Sequence, residues 1–169
     1  MITVETERLV LRPLVLEDAA FVLELVNDPS WLRYIGDRGI RTLDAARDYI
    51  RNGPMVSHAK HGFGLDLIVR KSDGAALGIC GLLKRDTLDD IDVGFALLPQ
   101  FCGQGYAREA VAAILRHGRS TFGLKRIVAI TDPANVASIQ LLEKLGFKFE
   151  RLIRMAPDKP ELNLFASEA

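Results

Sequence analysis

Residues 92–108, DVGFALLPQFCGQGYAR, decide how the chain folds, because they join a predicted strand directly to a predicted helix. The stretch Ile91 to Leu98 continues an alternating strand pattern, and Gly105 to Phe122 places apolar side chains at helical spacing. Gly103 and Gly105 lie where the helix begins. Such a turn leaves backbone N–H groups unpaired at the positive end of the helix dipole. The stretch therefore predicts a site for a phosphate group.

Two common nucleotide-binding loops are excluded by the parts that this loop lacks. No GKS or GKT sequence follows, so there is no lysine for a terminal nucleotide phosphate, and Arg108 stands where GxGxxG has its third glycine. A GxG sequence is also consistent with a simple tight turn. The neighbouring sequence must therefore decide between a turn and a site.

Around this unit, the hydrophobic pattern predicts strands and helices in a mixed order. The further predicted strands are Arg8–Leu14, Phe63–Lys71, Ala76–Lys84, Lys125–Ile130, Phe147–Met155 and Glu161–Phe165, and the further helices are Glu17–Val26, Asp44–Arg51 and Asn135–Leu145. The strands that follow residue 62 succeed one another as antiparallel neighbours, whereas the helix after residue 104 joins two parallel strands. This order predicts an α+β protein with a mixed, mostly antiparallel central sheet flanked by helices.

The composition is that of a folded chain without a strongly charged partner. The 169 residues include 22 basic and 22 acidic side chains, so the net charge is zero, and 49% of residues are apolar. This balance argues against nucleic-acid binding and against a polybasic membrane anchor. No apolar run approaches the roughly 18 residues of a membrane-spanning helix. We expect one domain over residues 1–169, located in the cytoplasm, as a monomer or homodimer.

Cysteine and histidine are too sparse for a disulfide framework or a metal site. Cys80 and Cys102 are 22 positions apart, and His58 and His61 are the only close pair of metal-ligand residues. We therefore expect free thiols, no metal, and the two histidines on a surface loop.

A second motif follows the predicted strand Lys125–Ile130. In NVASIQLLEKLGF, residues 135–147, the side chains of Asn135, Ser138 and Leu142 share one helix face. Asn135 is also a residue that caps helix N-termini, and Ser138 is small enough for a helix contact. Residue type alone therefore leaves a structural role and a functional role open for both.

Together the two motifs resemble the GNAT N-acetyltransferase superfamily. Its pattern is a strand, a GxGxA or GxGxG loop, a helix, a strand and then NxxSxxLLEKLGF. Here CGQGYA at 102–107 and NVASIQLLEKLGF at 135–147 follow that order. Three further stretches, ETERLVLRPLVLEDA at 5–19, DIDVGFALLPQFCGQGYAREAV at 90–111 and ELNLFA at 161–166, are similar to the ribosomal-protein (RimJ/RimL-like) branch, so the resemblance covers nearly the whole chain.

The resemblance implies the GNAT fold and a site for acetyl-CoA. Backbone amides of the loop would bind the pyrophosphate, a strand would pair with the pantetheine arm as an added strand would, and two polar residues would line the gap near the thioester. The implied residues are Gly103, Gln104, Gly105, Tyr106, Ala107 and Arg108 for the pyrophosphate, Phe95, Ala96 and Leu97 for the pantetheine, and Asn135 and Ser138 for the gap. For this to happen, the strands on either side of the helix must splay.

The sequence departs from the family pattern at four places. Cys102 replaces a frequent Arg or Gln, Leu142 replaces a tyrosine that protonates the leaving thiolate, and Ile130 replaces a glutamate base. The loop MAPDKP at 155–160 also lacks a glutamate present in some relatives. The remaining candidates are Asp92 as a base acting through water and Ser138, or water, as the acid.

Simpler explanations exist for several of these candidates. Asp92 could be a solvated carboxylate at a strand edge, and Trp31 and Tyr34, in the linker between the first two helices, could be core anchors or a wall of the acceptor site. Cys102 is not expected to act as a nucleophile, because no histidine lies near it in sequence and direct transfer needs no acyl-enzyme.

These observations predict an acetyl-CoA-dependent N-acetyltransferase in which the amine attacks the thioester directly. Strand N–H groups near Ala96 and Leu97 would hold the oxyanion. A weakly equipped base favours acceptors that lose a proton easily, so protein N-terminal α-amines and small-molecule amines are the expected substrates. The alternative is an acyl-CoA-binding sensor of the same fold that does not turn over.

Overall fold

The computed structural model describes residues 2–169, which form one eight-stranded sheet with helices on both faces. Along the sheet the strand order is β1-β2-β3-β4-β5-β6-β8-β7. The strands are β1 (Val4–Glu5), β2 (Leu9–Pro13), β3 (Leu65–Arg70), β4 (Ala76–Leu83), β5 (Asp92–Leu97), β6 (Arg126–Thr131), β7 (Lys148–Arg154) and β8 (Glu161–Glu168). Every neighbouring pair is antiparallel except β5 and β6. The predicted α+β class with a mixed, mostly antiparallel sheet is confirmed.

Six helices connect the strands. They are α1 (Ala19–Val26), α2 (Pro29–Tyr34), α3 (Leu43–Asn52), α4 (Pro54–His61), α5 (Tyr106–Phe122) and α6 (Val136–Lys144). Thr42 caps α3, where its hydroxyl accepts a hydrogen bond of 3.1 Å from the Ala45 amide. Among residues 2–169 no helix is long and apolar enough to cross a membrane.

The core consists of two main layers, one on each face of the sheet. Helix α5 covers one face, where it packs on Cys80, Leu82 and Val93. Helices α1 to α3 cover the other face, where Ile50 packs with Ile79 of β4. Because side chains alternate along a strand, this arrangement assigns each residue of β4 and β5 to one of the two layers.

Within residues 2–169 the only parallel pair is β5 and β6, and these strands are joined at a single position. Asp92 lies opposite Val128, and the Val128 amide donates a 3.0 Å hydrogen bond to the Ile91 carbonyl. Beyond that position the two strands pair no further. The predicted βαβ unit and the predicted splay of its strands are therefore both present.

The sequence did not predict β1, α2 or α4. The linker expected for Trp31 and Tyr34 and the surface loop expected for His58 and His61 are both wrong. Strand β1 is only two residues long, and helices α2 and α4 both begin at a proline. Proline is favoured at the first helical position, where no N–H partner is needed. Trp31 and Tyr34 consequently lie in a helix rather than in a linker.

The two histidines predicted on a surface loop belong instead to helix α4. His58 is mostly buried, and its Nε2 lies 2.9 Å from Oδ1 of the buried Asp66. His61 stacks on Phe63 with ring centroids 5.5 Å apart. Both therefore have structural contacts.

Candidate active site

The glycine-rich loop between β5 and α5 presents a row of unpaired backbone amides. Gly103 and Gly105 have φ values of +77° and +84°, which residues with a side chain rarely adopt. The first backbone hydrogen bond of α5 runs from Glu109 to the Gly105 carbonyl, so the amides of residues 106–108 lack an intrahelical acceptor. The amides of residues 103–105 also have no backbone acceptor among residues 2–169. The loop can therefore bind an anion.

Arg8, from the start of β2, adds a positive charge beside this loop. Its guanidinium donates to the Gln104 carbonyl (3.1 Å) and to Glu109 Oε1 (3.2 Å), and it lies 4.3 Å from the centroid of the Tyr106 ring. A Cβ at Gly105 would lie only 3.3 Å from Nη2 of Arg8. These contacts fix the guanidinium next to the amides before any ligand is bound.

A second arginine lies on the same aromatic residue. Arg70 of β3 lies 5.9 Å from the Tyr106 ring centroid and 5.2 Å from that of Phe101, and a pair of hydrogen bonds joins it to Asp73. Tyr106 thus has a guanidinium near it from each of two strands, in addition to its place in the helix core.

Strand β5 exposes part of its backbone to the gap that β6 leaves. The Leu98 amide donates a 2.9 Å hydrogen bond to the Leu77 carbonyl on β4. Because backbone groups alternate in direction along a strand, the N–H of Ala96, two residues earlier, also faces β4. The N–H groups of Phe95 and Leu97 point the other way, into the gap. We expected strand N–H groups near Ala96 and Leu97 to hold an oxyanion. Of these, the N–H groups of Phe95 and Leu97 face the gap, whereas that of Ala96 does not.

Asp92 lies at the closed end of the gap, where β5 and β6 still pair. Its side chain is 0% exposed, and its Oδ1 accepts a 3.0 Å hydrogen bond from Nε of Arg85. Its Oδ2 is buried without a partner among residues 2–169. Burial raises the pKa of Asp92, and the charge and hydrogen bond of Arg85 oppose that rise. The alternative of a solvated carboxylate at a strand edge is wrong.

The second motif forms the start of α6 on the other side of the gap. Asn135 caps this helix through a 3.3 Å hydrogen bond from the Ser138 amide to its side-chain oxygen, so the capping role is confirmed. The Ser138 side chain is half-buried and Leu142 is fully buried in the core. A tyrosine hydroxyl is thus absent from the Leu142 position, as the sequence indicated.

The two aromatic candidates on α2 differ in environment. Trp31 is 5% exposed within the core layer under α1 to α3, yet its ring N–H has no hydrogen-bond partner among residues 2–169. Tyr34 is half-exposed beneath the guanidinium of Arg33, at 5.0 Å from its ring centroid. Trp31 is therefore a core residue with an unused donor, and Tyr34 lies at the surface.

Within residues 2–169 the two cysteines, Cys80 and Cys102, are free thiols, as expected. Burial, with a further contribution from Asp28, raises the pKa of Cys102, so this thiol is a poor nucleophile at neutral pH. No group of three or more potential metal ligands occurs in this part of the chain.

Sequence reasoning missed Arg8, Arg85 and Tyr49. Arg8 reaches a loop 96 positions away, and Tyr49 of α3 lies near Arg38, 5.7 Å from its ring centroid, only because α3 packs on the sheet. No local pattern marks such contacts. The alternating basic residues of RLVLR, at 8–12, were noted only as a strand signal.

The comparison with known families identifies the class of this protein. Residues 8–148 match the family described as "Acetyltransferase (GNAT) domain". The chain therefore belongs to the GNAT family of N-acetyltransferases. This membership confirms the resemblance seen in the glycine loop and the NxxS helix.

Individual relatives place the chain more closely. It is 33% identical to the uncharacterized N-acetyltransferase p20 of Bacillus licheniformis, over 91% of this chain and 86% of that protein. It is 24% identical to the spermidine N(1)-acetyltransferase of Escherichia coli K12, over 83% of this chain and 73% of that protein. Its fold is shared with RimL, the ribosomal L7/L12 α-N-protein acetyltransferase solved with coenzyme A, at 17% identity, a TM-score of 0.82 and coverage of 99% and 98%.

Proposed function

We propose that this N-acetyltransferase transfers an acetyl group from acetyl-CoA directly to a primary amine. The observation that carries the proposal is the gap between β5 and β6, which opens beyond the Asp92–Val128 pair. Unpaired strand amides line this gap and the glycine loop follows directly from β5. A pantetheine arm and a pyrophosphate, joined as in CoA, match those two features in the same order.

The pyrophosphate is assigned to the amides of Gly103, Gln104, Gly105, Tyr106, Ala107 and Arg108. Arg8 lies beside these amides and adds a charged donor to the same phosphate. This guanidinium supplies the charge that Cys102 does not provide at the position where relatives often have Arg or Gln. The pantetheine amides pair with the backbone of Phe95 and Leu97, as an added strand would. Asn135 and Ser138 line the opposite wall of the gap.

In the proposed reaction, a neutral amine attacks the thioester carbonyl carbon. The C–N bond forms, the C–S bond breaks, and CoA leaves as a thiolate that takes a proton from Ser138 or from water. The strand amides of Phe95 and Leu97 stabilise the oxyanion of the tetrahedral intermediate. The products are the N-acetyl amine and CoA.

Asp92 is the proposed base for the proton that the amine loses. Its unpaired Oδ2 accepts that proton through a bridging water, and its Oδ1 is bonded to Arg85, whose side chain is 32% exposed. Burial raises the pKa of Asp92 towards the pKa of the amine that it deprotonates, and this makes the carboxylate a better general base. An α-amine with a pKa of about 8 is deprotonated far more easily than a lysine at about 10.4.

Ligand-dependent stability and turnover test this function directly. Acetyl-CoA is expected to raise the melting temperature, whereas ATP and NAD, which lack a pantetheine arm, are expected not to. A panel of amines is then followed by thiol release and by mass spectrometry of the acetylated product. Equal stabilisation by ATP would contradict the cofactor assignment. Binding of acetyl-CoA without transfer to any amine would contradict the catalytic assignment and favour a sensor.

A further inference from the structure

The face of the sheet opposite α5 carries a cluster of side chains that contacts Asp92 through Arg85, and we call it the acceptor-side cluster. Its members are Trp31, Arg38, Tyr49 and Arg85. Val93 lies in the core under α5, so its neighbour Asp92 points to the face of α1 to α3, where this cluster lies. The cluster is thus on the same face as the proposed base.

Arg38 lies near both aromatic rings of the cluster. The guanidinium of Arg38 lies 6.0 Å from the Trp31 ring centroid and 5.7 Å from that of Tyr49. Burial raises the pKa of Tyr49, and the charges of Arg38 and Arg85 both oppose that rise. Tyr49 therefore lies within electrostatic reach of both guanidiniums.

The cluster keeps a net positive charge, because only one of its two arginines has a carboxylate partner among the described residues. Arg38 forms no ion pair within residues 2–169, and its neighbour Asp37 is bound by Arg41. Arg85 pairs only with Asp92, which is needed as a base. On the β4–β5 loop, Asp90 pairs with Arg126, whereas Asp86 and Asp89 are exposed. Solvent screens such exposed carboxylates.

The cluster and the neighbouring Asp92 each have a buried polar atom without a partner. The ring N–H of Trp31 has no acceptor and Oδ2 of Asp92 has no donor within the described residues. Buried polar atoms are nearly always hydrogen-bonded in folded proteins, so unpaired ones need an explanation. An unpaired indole donor and a guanidinium without an ion pair, on the same face of the sheet as an unpaired carboxylate oxygen, complement a molecule that has both a carboxylate and an amine.

We propose that the acceptor is a small amine that also bears a carboxylate, as an amino acid does, with Arg38 and Arg85 facing its carboxylate. This inference rests on the proposed function and names its acceptor class. A polyamine would bring further positive charge towards two guanidiniums, and the α-amine of a protein is followed by a neutral peptide carbonyl. The reaction converts the amino acid and acetyl-CoA into an N-acetyl amino acid and CoA.

Matched acceptors test the carboxylate directly. Each amino acid of a panel is compared with its own α-carboxamide, at a pH where the same fraction of each amine is neutral, alongside spermidine and a short peptide with a free N-terminus. We expect kcat/KM for the carboxylate form to exceed that for the carboxamide by about tenfold or more, the factor typical of a charged hydrogen bond.

Variants then assign this preference to the cluster. Arg38→Gln is expected to raise KM for the amino acid and leave KM for the carboxamide unchanged, and Arg38→Lys to restore part of the difference. Arg47→Gln is the matched control, because Arg47 lies on α3 and pairs only with the exposed Asp44. Arg47→Gln should leave the ratio unchanged.

The remaining outcomes overturn either this inference alone or the proposed function as well. Preference for the carboxamide, spermidine or the peptide, or an unchanged ratio in Arg38→Gln, overturns the acceptor class and leaves the acetyltransferase function intact. Acetyl-CoA binding with no transfer to any amine of the panel overturns both.

Discussion

The two sides of the gap between β5 and β6 differ in whether their charged and polar side chains have partners within the chain. On the cofactor side, Arg8 and Arg70 are held by carboxylates and by the Tyr106 ring. On the acceptor side, Arg38 has no ion pair within residues 2–169, and polar atoms of Trp31 and Asp92 have no partner. A site for a constant ligand can be preorganised by fixed contacts, whereas groups that act on the acceptor must stay free for it.

This difference predicts different consequences of substitution. On the cofactor side, removal of one contact leaves others in place and weakens binding. On the acceptor side, removal of the unpaired carboxylate oxygen removes a chemical step, at little cost in structure. The following substitutions test that contrast.

The largest effect is expected for Asp92→Asn, which removes the proposed base. We expect kcat/KM to fall by roughly 10² to 10⁴ at neutral pH and to recover above the pKa of the amine, where no base is needed. Steady-state kinetics over a pH series with several amines measure both. Full activity at pH 7 with every accepted amine would contradict the assignment.

Stability provides a second readout for the same variant. The raised pKa of Asp92 means that the folded chain binds this proton more tightly than the unfolded chain does. Its contribution to stability is therefore complete below the unfolded pKa of about 3.9 and is lost as pH rises through the higher folded value. Asp92→Asn should then melt, at pH 7, no lower than the unmodified protein. A large loss of stability would indicate a structural role instead.

Gly105→Glu tests the cofactor side where its amides lie closest to Arg8. A carboxylate at this position would repel the pyrophosphate, so we expect the Kd for acetyl-CoA to rise by about a hundredfold or more. Because φ of +84° strains any side chain, Gly105→Ala is the control that carries the strain without the charge. Calorimetry of both variants separates the two causes. Unchanged affinity in Gly105→Glu would exclude the loop as the phosphate site.

Arg8→Gln should have a smaller effect, because the backbone amides of the loop remain. Loss of one charged donor at a half-exposed position is expected to raise the Kd for acetyl-CoA by about tenfold and to reduce its salt dependence. Arg12→Gln, four residues along and paired with Asp18, controls for loss of a β2 arginine. If both variants bind alike, Arg8 has no role at the phosphate.

Ser138→Ala is expected to lower kcat by about tenfold or less, with little change in CoA affinity. A thiolate whose conjugate acid has a pKa of about 8.5 is a good leaving group and needs little help from an acid. Pre-steady-state and equilibrium binding measurements separate the two quantities. A weaker affinity with unchanged kcat would instead assign Ser138 to the binding wall.

The smallest effect is expected for Cys102→Ser. The raised pKa of this thiol and direct transfer to the amine both leave it without a chemical role. We expect kcat/KM to change by less than about twofold. A loss near that of Asp92→Asn, together with an acetylated Cys102 seen by mass spectrometry, would point to a covalent intermediate.

Elements with a strong local signal were predictable from the sequence. The apolar residues of α5 recur at helical spacing, and two glycines precede them. These signals come from residues close together in the sequence, so they predict the strand, the turn and the helix without any distant contact. Helices α2 and α4 were not predictable from the sequence, because a proline can end one helix or begin another. Only tertiary packing decides between these two outcomes.

The part of the site that is formed by backbone amides of a sequence motif was predictable. The part that is formed by side chains from distant elements was not. The loop amides follow from two glycines in sequence. The direction of each β5 amide depends on how the strand pairs with β4. The residue type at Ala96 does not indicate whether its amide faces β4 or the gap. Arg8, Arg38 and Arg85 acquire their positions from elements far apart in the chain.

Because β5 and β6 pair at a single position, acetyl-CoA bound as proposed would become part of the sheet itself. Without it, the strands β1 to β5 and the strands β6 to β8 share hydrogen bonds only near Asp92, and the inner edge of β5 is open to water. We expect the amide hydrogens of Phe95 and Leu97 to exchange with solvent rapidly in the free enzyme and slowly once the pantetheine arm pairs with them. The lifetime of this enzyme against proteolysis would then follow the supply of its own acetyl donor.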